Sequence, residues 1–207
     1  MSQRWFITSD PHLDHAGILR HCAFTRPFPN VDEMNDFIVT NWNHDVGKKD
    51  NVIIVGDVCF NHHDKWLSML NGNKWLVNGN HDKMSLEIKK KHFKRVCDVM
   101  YRKINGRRFF FCHYACISWP KKFSDCIMIH GHSHGRIPED GHTLRCDVSM
   151  DVWGMRVVPV EVIIAKMEAK DPYPEYGPDD YAEMHARIVK LAQENMKFMG
   201  RFVRRFK

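Results

Sequence analysis

No run of about 18 consecutive apolar residues occurs anywhere in the chain, which argues against a transmembrane helix. The N-terminus "MSQRWFITSD" lacks the basic, apolar and small-residue regions of a secretory signal and enters a strand-like segment at once. A cytoplasmic location without stable membrane insertion is therefore expected. The seven cysteines are odd in number and scattered, at Cys22, Cys59, Cys97, Cys112, Cys116, Cys126 and Cys146, with no Cys-x-x-Cys pair. That pattern disfavours a disulfide framework or a zinc ribbon and leaves buried, reduced thiols as the expectation, as in "FFFCHYAC". Internal repeats and low-complexity tracts are also missing. What remains, 207 residues with 43% hydrophobic and 27% charged, has globular composition and suffices for one domain with an appendage.

Histidine, by contrast, is plentiful at 14 residues, and three of them crowd the stretch "MIHGHSHG". Net charge is +6, which suits an anionic ligand without identifying one. Five short, β-prone apolar runs each end abruptly in a polar cluster. "RWFITSDPH" leads to Asp10 and His12, "NVIIVGD" to Asp57, "KWLVNGNHD" to Asn80, His81 and Asp82, "RFFFCH" to His113, and "CIMIHGHSH" to His132 and His134. Continuous apolar runs of this length read as strands buried on both faces. Helical spacing appears between them, over 31–42, 62–70 and 84–93, so the first half reads as an α/β layered domain. After residue 95 strand-like runs follow one another, with the hairpin signal "NG" at 105–106, and a second sheet with antiparallel pairing is expected. The predicted fold is α/β, a four-layer α/β/β/α sandwich of two mixed sheets face to face with helices outside. It occupies 1–170, followed by a Pro-rich linker at 171–178 and a basic amphipathic helix at 179–207.

Strands packed side by side bring their C-terminal ends to one rim, where α/β proteins bind ligands. Here the rim would collect Asp10, His12, Asp57, Asn80, His113, His132 and His134. Two carboxylates, one amide and four imidazoles exceed the four ligands of a structural zinc and suit two divalent ions, with Asp57 on the middle strand as the natural bridge. Mixed oxygen and nitrogen donors favour manganese, iron, zinc or nickel over magnesium or calcium.

These motifs, "DPH", "GD", "GNHD", a lone "CH" and "GHSH" in that order, resemble the calcineurin-like metallophosphoesterase superfamily over about residues 5–168. Its small bacterial and phage phosphoesterases also match "SDPHLDHAGIL", "TRPF", "DEMNDF", "NWN" and the closing "DVSMDVWGMRVVPVEVI", read as the final strands. The resemblance implies one metal on Asp10, His12, Asp57 and His134, and a second on Asp57, Asn80, His113 and His132. It further implies hydrolysis of a phosphodiester or phosphomonoester by a bridging hydroxide, with His81 as general acid. Manganese is the leading cofactor. His130 falls outside the motif and is assigned to strand packing. The segment "GDVCFNH" lacks the Asp-Arg-Gly extension of protein phosphatases, which weakens that reading.

Asn80, His81 and Arg26 are the candidates for contact with substrate phosphate. His15 either borders the site or caps a short helix, and Asp82 either orients His81 or caps the helix that follows. The basic residues of 83–108 read either as a solvated face or as a footprint for a nucleotide or nucleic acid. Two alternatives stand beside the enzyme reading: a binding or scaffold module of the same fold with weak catalysis, and a nucleic-acid-directed nuclease.

Overall fold

The computed structural model describes residues 3–170, 183, 186–191, 193 and 194. In chain order these form β1 (Trp5–Thr8), α1 (Ile18–His21), α2 (Val31–Asp45), β2 (Asn51–Val55), α3 (His63–Met69), β3 (Asn73–Val77), α4 (Leu86–His92), β4 (Phe93–Cys97), β5 (Val99–Ile104), β6 (Arg107–Cys112), β7 (Cys126–His130), β8 (Arg145–Asp147), β9 (Val158–Pro159) and α5 (Val160–Glu168). One sheet has the order β4-β3-β2-β1-β9, the other β5-β6-β7-β8.

Alternation along the strands fixes the layers, because successive side chains leave a strand on opposite faces. Phe6, Val52, Ile54 and Leu76 face a core shared with Met34, Ile38 and Trp42 of α2 and Trp66 and Leu67 of α3. Ile7, Ile53, Val55 and Val77 point the other way, into a second core with Phe109, Phe111, Ile127 and Ile129 of the opposing sheet. The expected α/β sandwich of two mixed sheets is thus built on two cores, one helix–sheet and one sheet–sheet. The outer face of the second sheet carries Cys126 and Met128, against which Trp119 packs.

Helix α2 starts where its sequence dictates. Asn30 caps it by accepting the Glu33 N–H at 2.9 Å while its own amide donates to Glu33 Oε1 at 3.0 Å, a reciprocal cap. Met34, Ile38 and Trp42 then recur every four residues and are fully buried. A Trp42→Ala change would remove about 3–5 kcal/mol of stability.

The second sheet is mixed, as expected: β5 and β6 form the antiparallel hairpin, turning through Asn105 and Gly106 at positive φ, and β6–β7 and β7–β8 are parallel. The connections after β6 are long enough to return the chain to the same end, which parallel pairing requires. Contrary to expectation, the closing segment is not all strand. β9 has only two residues, and α5 follows at once, its Val160, Ile163 and Met167 at helical spacing entering the sheet–sheet core. β-Branched composition suggested a strand there, but the 3-and-4 spacing of the buried residues decided the outcome.

By contact the chain divides into a unit Met1–Pro172 and a unit Tyr173–Lys207. In the latter the described residues are helical, within the helix expected at 179–207. The linker at 171–178 and the basic end of that helix lie outside the described residues. Among the described residues no helix is long and apolar enough to cross a membrane.

Candidate metal centre

β1, β2 and β3 run parallel and adjacent, so the residues just past their ends, Asp10, Asp57 and Asn80, fall along one rim in the order of the strands. β6 ends into His113, and the turn after β7 carries His132 and His134. Asp10, His12 and His134 present ligand atoms within 4.8 Å of one another, and so do Asp57, His113 and His132. Asp57 Oδ2 stands between the two groups, 3.7 Å from His12 Nε2 and 3.5 Å from His113 Nε2. Asn80 Oδ1 lies 3.1 Å from His113 Nε2.

The donor set fits divalent cations. Asp10 Oδ1 and His12 Nε2 are buried polar atoms without a hydrogen-bond partner, and they sit 3.5 Å apart. His113 donates through Nδ1 to the Val55 carbonyl at 2.7 Å, which leaves the Nε2 lone pair aimed at Asn80 Oδ1 and Asp57 Oδ2. Acceptors converging on acceptors in a buried space call for a positive centre between them. Burial opposes the charge on His134, but Asp151, Cys22 and Asp10 overcome it and carry the ring to about 10. Burial likewise pushes the Asp57 carboxyl up, yet His113, the His81 amide and His12 outweigh it and hold the group at about 2.

Backbone geometry at the rim is strained. Asp10, His12, Asp57, His132 and His134 adopt φ of 56°, 50°, 55°, 64° and 47°, the left-handed region that non-glycine residues seldom occupy. Such strain persists where surrounding contacts fix it, and it gathers at functional sites. Glycines make the tight approach feasible. A Cβ at Gly79 would overlap Asp57 Oδ1, and one at Gly131 would overlap Ser9 Oγ and Asp10 Oδ2.

Four side chains behind the rim hold these groups. Asp82 is buried, and its carboxylate accepts the N–H groups of Asp57 (2.9 Å), Gly79 (2.7 Å) and Val58 (3.0 Å). It thereby ties the β2 and β3 loops together, and neither orients the His81 ring nor caps a helix; Ser85 caps α4. His15 Nδ1 meets His12 Nδ1 at 3.1 Å and stacks on Phe60 at 3.6 Å between ring centroids, so it supports a rim ligand. Burial, with His12 and His81 nearby, pushes the His15 imidazole down to about 4.

Arg26 departs from its expectation. It is 1% exposed and points away from the cleft: Nη2 donates to the Asp10 carbonyl at 2.6 Å, Nη1 to the Pro11 carbonyl at 3.0 Å, and Nε to Asp151 Oδ1 at 3.0 Å. With its donors taken up behind the loop, it does not reach a phosphate. Its partner Asp151 accepts the Nδ1 proton of His134 at 2.6 Å, the carboxylate–histidine arrangement typical behind metal ligands. The sequence pointed to neither Asp151 nor its role, because "SMDVWG" follows no long apolar run; only folding brings it to His134.

His81 is exposed, its ring 4.7 Å from that of Phe60 and 6.1 Å from that of His12, while its N–H donates to Asp57 Oδ1 at 2.9 Å. His130 is 2% exposed within β7 and bonds the Gly131 carbonyl through Nδ1. The rim opens into a cleft of about 360 Å³ whose walls include His12, His81, His132, His134 and Arg136. Folding thus gathers Asp10, His12, Asp57, Asn80, His81, His113, His132 and His134 at one place and puts Arg26 behind it.

No model of a known protein family matches the chain. It is 31% identical over 173 residues to the uncharacterized protein MJ1445 of Methanocaldococcus jannaschii, covering 79% of this chain and 90% of that one. It is 27% identical over 198 residues to the Gene 66 protein of Mycobacterium phage L5, covering 78% of this chain and 93% of that one. Among solved structures, the protein of unknown function AQ665 from Aquifex aeolicus has the same fold. The TM-score is 0.63 at 21% identity, over 80% of this chain and all of that one.

Proposed function

We infer from the ordered motifs and the geometry of the rim that the chain, which shares one family with MJ1445, is a calcineurin-like metallophosphoesterase. On that premise it is a metal-dependent phosphoesterase acting on a phosphodiester or phosphomonoester. One observation carries this reading: two ligand groups meet at Asp57 Oδ2, and in the first of them Asp10 Oδ1 and His12 Nε2 are buried and unpartnered. Asp10, His12, Asp57 and His134 would hold one ion, and Asp57, Asn80, His113 and His132 the other. When bound, two divalent ions, manganese first with iron, zinc or nickel as alternatives, supply Lewis acidity and acidify a water toward neutral pKa.

The chain's own contribution is proton delivery and charge placement. His81 stands at the open side of the cleft with its backbone held on Asp57, so its imidazole can protonate a departing alkoxide, a role worth 10²–10⁴-fold. Asn80 is exposed, with Oδ1 3.1 Å from His113 Nε2, and its amide N–H would donate to a non-bridging phosphoryl oxygen. Asp57, Gly79 and Val58 are clamped by one carboxylate, so the loop bearing Asn80 and His81 moves with the loop bearing Asp57.

The test begins with metal-stripped protein reloaded separately with manganese, nickel and zinc. Bound metal is measured directly, and turnover of p-nitrophenyl phosphate is compared with that of bis(p-nitrophenyl) phosphate. Binding of about two ions per chain with hydrolysis of either ester is expected. Full metal loading without hydrolysis of either would instead assign the fold to binding alone.

A further inference from the structure

We propose that the substrate is a single-stranded nucleic acid lying along the rim, so that phosphates on either side of the reacting one meet cations at both ends of the ligand row. This rests on the phosphoesterase reading above and specifies its substrate class.

The row has two ends. Strand order places Asn80, Asp57 and Asp10 in sequence, with His134 beyond Asp10, its Nε2 3.7 Å from Asp10 Oδ1. At the Asn80 end, Asn78 closes β3 and Lys89 Nζ reaches its Oδ1 at 2.8 Å. There a groove of about 390 Å³ begins, lined by Lys89, Lys90, Lys94 and Arg95, with no carboxylate among its described lining residues. At the opposite end, two residues past His134, Arg136 lines the cleft, its Nη2 held on the His21 carbonyl at 2.7 Å.

Helix electrostatics explain part of this charge and not the rest. Lys89, Lys90 and Lys91 fall in the last turn of α4, where cations oppose the macrodipole. Lys94 and Arg95, however, are exposed on β4, past the helix end. Of the nearby acids, Asp64 is taken up by Lys91 at 2.7 Å and His92 at 2.6 Å, while Asp98 stands beside the groove and accepts the amide of its lining residue Asn78 at 2.8 Å. Among the described residues Lys90, Lys94, Arg95 and Arg136 form no ion pair with an acid, so the lysines and arginine that line the groove gather like charge there. A phosphate backbone relieves that repulsion by displacing counterions.

A small ester bound at the ligand row occupies only the cleft that Arg136 lines, whereas a strand of several nucleotides can extend from it into the groove of Lys89, Lys90, Lys94 and Arg95. Aromatic faces favour a single strand, because unpaired bases stack on them. Tyr114, half exposed, lies 4.7 Å from His132 between ring centroids, and Phe60 flanks His81.

Manganese-loaded protein is assayed on bis(p-nitrophenyl) phosphate, a dinucleotide and a 12-nucleotide single strand. The expected result is a kcat/KM at least about tenfold higher on the 12-mer than on the dinucleotide. On the 12-mer it falls with salt at a log–log slope of about −2 to −3, as three or four phosphate contacts require. Fluorescence anisotropy of the labelled 12-mer with metal-free protein should show binding that weakens between 50 and 200 mM salt, on the order of tenfold or more. A Lys90→Glu/Lys94→Glu variant should lower the ratio of 12-mer to dinucleotide turnover and flatten the salt slope, while Lys94→Arg retains both. Equal kcat/KM on all three substrates, or salt-insensitive anisotropy, overturns the strand substrate and leaves the phosphoesterase reading standing. Absence of turnover on every substrate by fully metallated protein overturns the phosphoesterase reading itself.

Discussion

Asp151 Oδ2 accepts the Nδ1 proton of His134 at 2.6 Å, and the same oxygen receives Arg26 Nη2 at 2.7 Å. One buried carboxylate therefore fixes the tautomer of a rim imidazole and ties it to the loop of Asp10, whose carbonyl Arg26 also holds. Asp151→Asn should weaken the ion on Asp10, His12 and His134 by about 10–100-fold while leaving the other ion's affinity near its original value. Metal titration by calorimetry reads the two events separately. Two unchanged affinities would reduce Asp151 to a packing residue.

In the proposed mechanism His81 protonates the leaving group, so its importance should scale with how poor that group is. His81→Asn should keep its metal content and lose about 10²–10⁴-fold in kcat on an alkyl ester. The loss on a p-nitrophenyl ester, whose departing oxygen scarcely needs a proton, should be much smaller. Equal losses on both, with metals intact, would remove His81 from the proton-transfer role.

Gly79 stands where a side chain cannot. In Gly79→Ala the new Cβ would overlap both Asp57 Oδ1 and the Asp57 N–H, which cannot move without breaking the Asp82 clamp. Bound metal measured by elemental analysis should fall well below that of the parent protein, with a stability loss of about 1–3 kcal/mol from overpacking. A fully metallated, fully active variant would show that the two loops are not held in contact.

Lys74 supplies a pH test remote from the rim. It lies 7% exposed in β3 with Nζ on the Leu70 carbonyl at 2.7 Å, and burial pushes its ammonium down to about 8. Below about 8 both folded and unfolded chains hold the proton, and the cost of burying the charge is fully present. Between about 8 and 10.5 the unfolded chain holds a proton that the folded one has released, so stability rises with pH. Relative to Lys74→Met, the parent should gain about 2–3 kcal/mol across that window in urea unfolding. A difference that does not vary with pH would mean the ammonium is solvated.

Much of this was legible because the chemistry sits at strand ends. Residues such as Asp57 and Asn80 announce themselves where apolar runs stop, and parallel pairing leaves those ends no place but a common rim. Three of the four helices of the first half, α2, α3 and α4, were equally readable, and in α2 Met34, Ile38 and Trp42 keep one face throughout. The pairing after β6 was not, because runs such as "CIMIH" fit a parallel or an antiparallel neighbour equally well. Nor was α5, whose valines favour a strand until burial selects every third or fourth residue.

The sequence by itself determined which polar residues stand at the strand ends and the layered class of the fold, for periodicity and residue type are local properties. Tertiary structure alone decided what supports them. Arg26 turned from a phosphate contact into a buried strut, Asp82 into a clamp between loops, and Asp151 and His15 into supports for His134 and His12. Each of these roles depends on a contact between segments far apart in the chain or on a turn in the left-handed region. No local pattern encodes such a contact, and it exists only once both sheets have closed around their cores.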